Sequence, residues 1–172
     1  MNPEHIIVIF ENVLNLPYKL QQKIYKSGSG GEWVHCEIID PQRDYIRASA
    51  WWEGGVKFKS IHKIKNFDNY VGFVIPTSYA QDIHNFHVSQ CGKKYDKIGL
   101  FFNMFLDKLK DYKDSWFCSE INFYELKNIA NINLPNVAPS RVTPMMLKLM
   151  LEKSGYQALP LAQLLSNTNI RH

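Results

Sequence analysis

The chain has 172 residues, of which 45% are hydrophobic, 21% charged and 13% aromatic. This composition excludes a disordered or fibrous protein, and the length predicts one domain over residues 1–165 with a polar tail at 166–172. Twenty Lys and Arg against sixteen Asp and Glu give a net charge of +4, too small an excess to indicate a nucleic-acid partner. No apolar run near the N-terminus approaches the roughly 18 residues of a membrane span, so we expect a cytoplasmic protein with no membrane span.

The three cysteines, Cys36, Cys91 and Cys118, lie 55 and 27 residues apart. An odd number at these spacings fits neither a disulfide framework nor a paired zinc ribbon. We therefore expect reduced thiols, and the thiol chemistry considered below needs no metal and no cofactor.

The first half of the chain has the pattern of β-strands. Runs of β-branched and aromatic residues predict strands over residues 6–10, 33–39, 44–52, 56–64 and 70–75, with a turn at 40–43. Helical spacing predicts one short helix over 15–25, which ends before a glycine- and serine-rich stretch at 27–31. Successive strands joined by short turns predict an antiparallel meander.

From Ser78 onwards the apolar residues recur at helical spacing. This predicts helices beginning at Tyr79 and spanning 98–109, 117–129 and 144–153, the last ended by Gly155. Strands followed by helices predict the α+β class, with an antiparallel sheet meander packed against helices.

Cys118 falls in the first turn of the predicted helix 117–129, which Asp114 or Ser115 is expected to cap. The backbone N–H groups and the dipole at a helix start stabilise a thiolate, the form of cysteine that attacks carbonyls. The same N–H groups can receive the oxyanion formed in that attack. Cys118 is thus a candidate nucleophile; the alternative is a buried, inert cysteine beside Trp116 and Phe117.

His35 is the candidate general base. Side chains alternate along a strand, so His35 and Glu37 share one face of the strand 33–39 while Cys36 points to the other. Cys36 is therefore interpreted as a core residue, and the thiol that His35 serves must come from elsewhere. Cys118, 83 positions later, provides the required pair.

A third polar group normally orients the imidazole in such a pair. If the turn at 40–43 is tight, His35 lies opposite residues 47–49, which places Ser49 within reach and Arg47 where it would oppose a protonated ring. Glu37, about 7 Å along the same face, is the first candidate, and Ser49 is the second.

These segments resemble the circularly permuted branch of the NlpC-type papain-like superfamily, in which the His strand precedes the Cys helix. The resemblance rests on Val-His-Cys-Glu-Ile at 34–38, Tyr-Asp-Lys-Ile-Gly-Leu at 95–100, Trp-Phe-Cys-Ser-Glu at 116–120, and Thr143-Pro144 opening a later helix. It implies a papain-like fold with Cys118 as nucleophile and His35 as base. Relatives of this kind place a His, Glu or Asn on the strand after the histidine, where this chain has Ala48 and Ser49.

The expected activity is that of a thiol-dependent hydrolase or acyltransferase acting on an amide or ester carbonyl, in a cell-wall peptide or a lipid acyl group. Tyr95 and Trp51 are the candidate substrate-binding residues, with support of the cleft and closure of the core as their alternative roles. The second hypothesis is a fold relative, for example from a phage, that binds a peptide, lipid or partner without turnover. The oligomeric state stays open.

Two other patterns were weighed against this hypothesis. His84, His87 and Cys91 fall on one helical face and are zinc-ligand types, but no paired metal motif accompanies them, so we expect packing. A stripe of alternating lysines could meet phosphates, although such stripes usually face solvent and protect sheet edges, so we expect no nucleic-acid partner. The stripe consists of Lys57, Lys59, Lys63 and Lys65.

Overall fold

A computed structural model describes residues 4–12, 31–96 and 114–166. The strands are β1 (His5–Asn12), β2 (Trp33–Asp40), β3 (Ile46–Trp51), β4 (Gly55–Lys59), β5 (Tyr70–Pro76), β6 (Lys94–Tyr95), β7 (Ser115–Trp116) and β8 (Leu159–Pro160). The α-helices are α1 (Ala80–Gln90), α2 (Cys118–Tyr124), α3 (Pro144–Lys153) and α4 (Leu161–Ser166), and α2 continues into a π-helical turn over Glu125–Ile129. The predicted α+β class is confirmed.

Six strands form one antiparallel sheet in the order β4-β3-β2-β1-β5-β8, and β6 and β7 form a separate parallel pair. Strands β1 to β4 follow one another across the sheet, and among them β2, β3 and β4 form the predicted meander. The prediction was wrong for β5, which crosses back to pair with the far side of β1. Two 3-10 turns, Ile61–Lys63 and Phe67–Asn69, occupy the connection that makes this crossing.

The two faces of the sheet are covered by different elements. Ile6 to Phe10 in β1 are all buried, as expected for a central strand with both faces covered. One face packs against helices α1, α2 and α3, and its cluster includes Val8, Cys36 and Cys118. The opposite face packs against α4 and the segment after β4, with Ile7, Ile9 and Leu164 among its members. Cys118 therefore lies on the face of the sheet that α1, α2 and α3 cover.

The turn between β2 and β3 is longer than the sequence predicted. Ile38 pairs with Ala48 and Ile39 with Arg47, whereas the expected tight turn would have paired Ile39 near Asp44. A 3-10 turn over Pro41–Arg43 is followed by Asp44 and Tyr45 in the left-handed conformation, at φ values of 50° and 51°. These additional residues shift the register, so that β3 begins at Ile46 instead of Asp44.

Most of the predicted helices are confirmed. Helix α1 begins at Ala80, the helix over 144–153 has the expected bounds, and the helix predicted over 117–129 appears as α2 with its π-helical turn. Thr143 caps α3 by accepting a hydrogen bond from the Met146 N–H at 3.2 Å. The strand predicted over 56–64 ends at Lys59. The helices predicted over 15–25 and 98–109, and residues 167–172 of the predicted tail, lie outside the described residues, whereas Ser166 is the last residue of α4.

Within residues 4–12, 31–96 and 114–166, no helix combines the length and apolar character needed to cross a lipid bilayer.

Candidate active site

Cys118 is the first residue of helix α2. Phe117 is the N-cap residue in an extended conformation, and its backbone N–H donates to Oε2 of Glu120 at 3.3 Å. The expected cap from Asp114 or Ser115 is wrong, because Ser115 belongs to β7, which pairs with β6. The predicted place of Cys118 in the first turn of a helix is confirmed.

Hydrogen bonds fix the start of this helix on two sides. The Ser119 hydroxyl donates to the Val142 carbonyl at 2.6 Å, which ties α2 to the segment that leads into α3. The Trp116 indole N–H donates to Oε1 of Gln90 at 3.0 Å, which ties the residue two positions before Cys118 to the end of α1. The start of α2 is therefore held by the end of α1 and by the segment that leads into α3.

Strands β2 and β3 separate beside Cys118. Their pairing stops at Ile38, and the Cys36 carbonyl accepts instead from the Ser49 hydroxyl at 2.8 Å. The Cys36 backbone N–H and its thiol both donate to the Cys118 sulfur. The sulfur thus lies at the open edge of β2, where it reaches both His35 and Cys36 although these two side chains leave the strand on opposite faces.

The His35 ring lies between the sulfur and an acid. It is in hydrogen-bonding contact with the Cys118 sulfur. Its Nε2 lies 3.5 Å from Oε1 of Glu37, an ion-pair distance without hydrogen-bond geometry. The structure therefore brings together Cys118, His35 and Glu37. Ser49, the second candidate for the orienting group, instead donates its hydroxyl to the main chain of Cys36.

The neighbours of the pair favour its charged form. Hydrogen bonding from the Cys36 thiol lowers the pKa of Cys118 well below its ordinary value; burial opposes this shift, and the nearby His35 adds to it. Burial is the largest single influence on His35 and lowers its pKa, but the Cys118 thiolate, Glu37 and Glu11 together outweigh burial and raise this pKa to about 9. Both shifts favour a thiolate and an imidazolium over the neutral pair.

Cys118 and His35 are less exposed to solvent than residues that line an open cleft would be. Cys118 is 2% exposed, whereas the side chain of His35 is 14% exposed. The sulfur is therefore almost fully covered in this conformation, and the imidazole is the more exposed member of the pair.

Arg47 binds the Glu37 carboxylate, whereas the sequence predicted that it would oppose a protonated His35 ring. Nη1 of Arg47 donates to both Glu37 carboxylate oxygens, at 2.9 and 3.0 Å. Burial raises the pKa of Glu37, and the charges of His35 and Arg47 counteract this shift. The expectation that Arg47 would oppose the imidazole is wrong, because the longer turn moves Arg47 opposite Ile39 and places the Glu37 carboxylate in contact with both cations.

The two candidate substrate-binding residues occupy different places. The Trp51 ring lies 5.8 Å from the His35 ring, and Nζ of Lys59 lies 4.3 Å from the Trp51 ring centroid. Tyr95 packs instead against the small cluster around Ile121, one turn after Cys118 in α2, and its ring lies 5.7 Å from Trp52. Trp51 thus contacts the imidazole directly, whereas the ring contacts of Tyr95 lie beside the helix.

The residues weighed as zinc ligands do not converge on a metal. His87 is buried, with Nδ1 2.8 Å from Oε1 of Glu125 and Nε2 3.2 Å from the Lys57 carbonyl. His84 stacks on Phe58. Among the described residues there is no group of three or more His, Cys, Asp or Glu side chains that could hold a metal ion.

The predicted lysine stripe is only half formed. Lys57 and Lys59 share a face of β4, whereas Lys63 and Lys65 follow the end of that strand. Lys57 donates to the Glu53 carbonyl at 2.7 Å, and Lys59 lies over Trp51. These two lysines are therefore engaged locally.

Two residues of the site were not assigned to it from the sequence. Cys36 was interpreted as core because alternation points it away from His35, and the separation of β2 from β3 that brings Cys118 to both residues leaves no mark in the sequence. Arg47 would have been recognised as the partner of Glu37 if the turn before β3 had been given its true length.

No family model matches the chain, and neither a curated protein nor a solved structure does.

Proposed function

We propose that the chain is a thiol-dependent hydrolase or acyltransferase that acts on an amide or ester carbonyl through a Cys-His acyl-enzyme mechanism. The observation that carries this proposal is the contact between the Cys118 sulfur, at the start of α2, and the His35 imidazole on β2. A cell-wall peptide and a lipid acyl group both contain a suitable carbonyl.

The reaction would proceed in two balanced steps. The Cys118 thiolate forms a bond to the carbonyl carbon, and His35 transfers its proton to the departing amine or alcohol as the old bond breaks. Neutral His35 then takes a proton from water or from an acceptor alcohol as that oxygen attacks the thioester. Release of the acid or ester product restores the thiolate and the imidazolium.

The surroundings of Cys118 suit this chemistry. The backbone N–H groups of the first turn of α2 are the natural donors to the oxyanion of each tetrahedral intermediate. Glu37, 3.5 Å from Nε2 of His35, stabilises the imidazolium that precedes acylation. Because Cys118 is only 2% exposed, the first substrates to test are those with small acyl groups.

The order of the elements supports a circularly permuted papain-like fold. The histidine strand β2 precedes the nucleophile helix α2, which packs against the antiparallel sheet. Papain has the reverse order of cysteine and histidine. We include this permuted fold in the proposal together with the assignment of Cys118 and His35.

The first prediction compares two cysteines in one molecule. The Cys91 side chain is exposed, and its pKa is raised by partial desolvation and by the charge of Glu125. Cys118 is buried, and its pKa is lowered. With iodoacetamide at pH 6, we expect Cys118 to be alkylated faster than Cys91, because its lowered pKa gives it the larger thiolate fraction. Site-resolved mass spectrometry after timed quenching measures both rates, and a C91S variant confirms the assignment of the peptide.

The opposite order would contradict the proposal. If Cys91 reacts first and the reaction of Cys118 has a midpoint near the ordinary thiol value of about 8.5, the contact with His35 does not activate the sulfur.

The burial of Cys118 favours a second candidate function, a fold relative that binds a peptide, lipid or protein partner without turnover. A sulfur that is only 2% exposed cannot meet a large acyl substrate in this conformation. This candidate predicts a protein that is not acylated by small activated esters. The acylation experiment described in the Discussion separates the two.

A further inference from the structure

A row of ionisable side chains crosses the sheet at the level of the candidate active site. It runs over five adjacent strands and carries both signs of charge. The pKa shifts of Glu37, Lys59 and Tyr70 each have charges of other members of this row among their causes, which places the row within electrostatic reach of Glu37. They are Glu11 on β1, His35 and Glu37 on β2, Arg47 on β3, Lys59 on β4 and Tyr70 on β5.

Arg47 is the most firmly held member of this row. Its Nη1 donates to both oxygens of Glu37, at 2.9 and 3.0 Å, and its Nε donates to the Ser60 carbonyl at 3.1 Å. The two side chains of the pair are 5% and 2% exposed. A guanidinium anchored at two points fixes both the position and the charge of the carboxylate that it binds.

The charge of Glu37 depends on its cations. Burial is the largest influence on Glu37 and favours the neutral acid, while His35 and Arg47 favour the carboxylate. Lys59 adds a weaker positive charge and Glu11 a negative one. Because His35 releases its proton during catalysis, Arg47 is the cation bonded to Glu37 that keeps its charge throughout the cycle.

The influence of Arg47 on His35 passes through Glu37. The charges that act most strongly on His35 are those of Cys118, Glu37 and Glu11. A neutral Glu37 would no longer attract the imidazolium, so the proton on His35 would be held less firmly. The Cys118 thiolate would then lose part of the positive charge that stabilises it.

We propose that Arg47 is a positioning residue, which holds the Glu37 carboxylate against His35 and thereby favours the thiolate–imidazolium form of the candidate active site. This inference rests on the proposed function and adds to it the group that maintains the charge of the third residue. Among the described residues, the side-chain hydrogen bonds of Arg47 go to Glu37 and to the Ser60 carbonyl, and not to the sulfur or the imidazole.

The test is a mutant cycle read out on the sulfur. Four variants are compared with the unaltered chain: R47M, R47K, E37Q and the double variant R47M/E37Q. The measurement is the pH midpoint of Cys118 alkylation by iodoacetamide, resolved by mass spectrometry, with Cys91 in the same sample as the reference. Thermal unfolding of each variant is recorded in parallel.

We expect R47M and E37Q each to raise the midpoint by about 1 pH unit, the lower end of the effect of an adjacent opposite charge. R47K retains the charge and should raise it less. In the double variant the midpoint should equal that of E37Q alone, because Arg47 has no further route to the sulfur. This variant also replaces both charges with neutral groups, so it remains informative if R47M alone folds poorly.

A purely structural ion pair gives a different pattern. The substitutions would then lower the unfolding temperature but leave the Cys118 midpoint unchanged in the folded variants, and this result would overturn the inference. A further rise in R47M/E37Q beyond that of E37Q would also overturn it. Failure of the proposed function is distinguishable, because it would appear in the unaltered chain as an ordinary Cys118 midpoint near about 8.5.

Discussion

Replacing His35 with glutamine should slow the acylation of Cys118 by a small activated ester about 10²- to 10⁴-fold at pH 7, the range attributed to general acid–base catalysis. Glutamine has nearly the size of histidine, but its amide does not take up a proton at this pH and so cannot become positively charged. Without the imidazolium, the thiolate of Cys118 loses one of the groups that lower its pKa. The side chain also cannot protonate the departing alkoxide.

The measurement is the rate at which the acetyl adduct of p-nitrophenyl acetate appears on the Cys118 peptide. The matched control is H62Q. His62 is exposed in the 3-10 turn over Ile61–Lys63, so this substitution makes the same chemical change away from the sulfur. Equal acylation of H35Q and the unaltered chain would remove His35 from the mechanism. Absence of any adduct on the unaltered chain would favour the binding function without turnover.

The second large effect concerns stability and the buried pair of His87 and Glu125. Both side chains are 0% exposed, and they join α1 to the π-helical turn through a contact of 2.8 Å. Oε2 of Glu125 has no hydrogen-bond partner among the described residues. We expect H87L to lower the free energy of unfolding by about 3 to 5 kcal/mol, because it leaves a buried carboxyl group without its partner.

Thermal and denaturant unfolding measure this loss, which corresponds to a fall in melting temperature of about 10 °C. The loss should be smaller at pH 5 than at pH 8: burial already raises the pKa of Glu125, and a protonated carboxyl group costs less to bury. The control is E152Q, which breaks the half-exposed pair of Glu152 with Lys148 and should cost no more than about 1 kcal/mol. A loss in H87L as small as that in E152Q would show that the buried pair contributes little.

The secondary structure was predictable where local signals agree. Thr143 and Pro144 mark the start of α3, and its apolar spacing runs on to the end found in the structure. The tract 6–10 is uniformly β-branched or aromatic, and it is the buried central part of β1. In both cases neighbouring residues in the sequence carry the information.

The pairing of strands was less predictable because it depends on turn geometry. Asp44 and Tyr45 adopt the left-handed conformation without being glycine, and the sequence gives little sign of this. The resulting change in register places Arg47 on Glu37. One turn conformation therefore decided whether Arg47 was assigned to the site.

The candidate site was predictable in its residue types but not in its full geometry. The helix start identified Cys118, and strand alternation placed Glu37 on the face of His35. The contact of Cys118 with Cys36 depends on where β2 and β3 separate, a tertiary feature without a local signal. The two cysteines lie 82 positions apart in the sequence.

The protonation state of His35 tests the central claim most directly. The His35 ring can be followed by NMR in histidine-labelled protein over the range pH 5 to 10, using H35Q to assign its signal. We expect an apparent pKa of about 9 in the unaltered chain, and a fall towards or below about 6.5 in C118S, which removes the thiolate and leaves burial as the main influence. A His35 pKa near about 6.5 that does not change in C118S would contradict the thiolate–imidazolium pair, and with it the proposed enzyme.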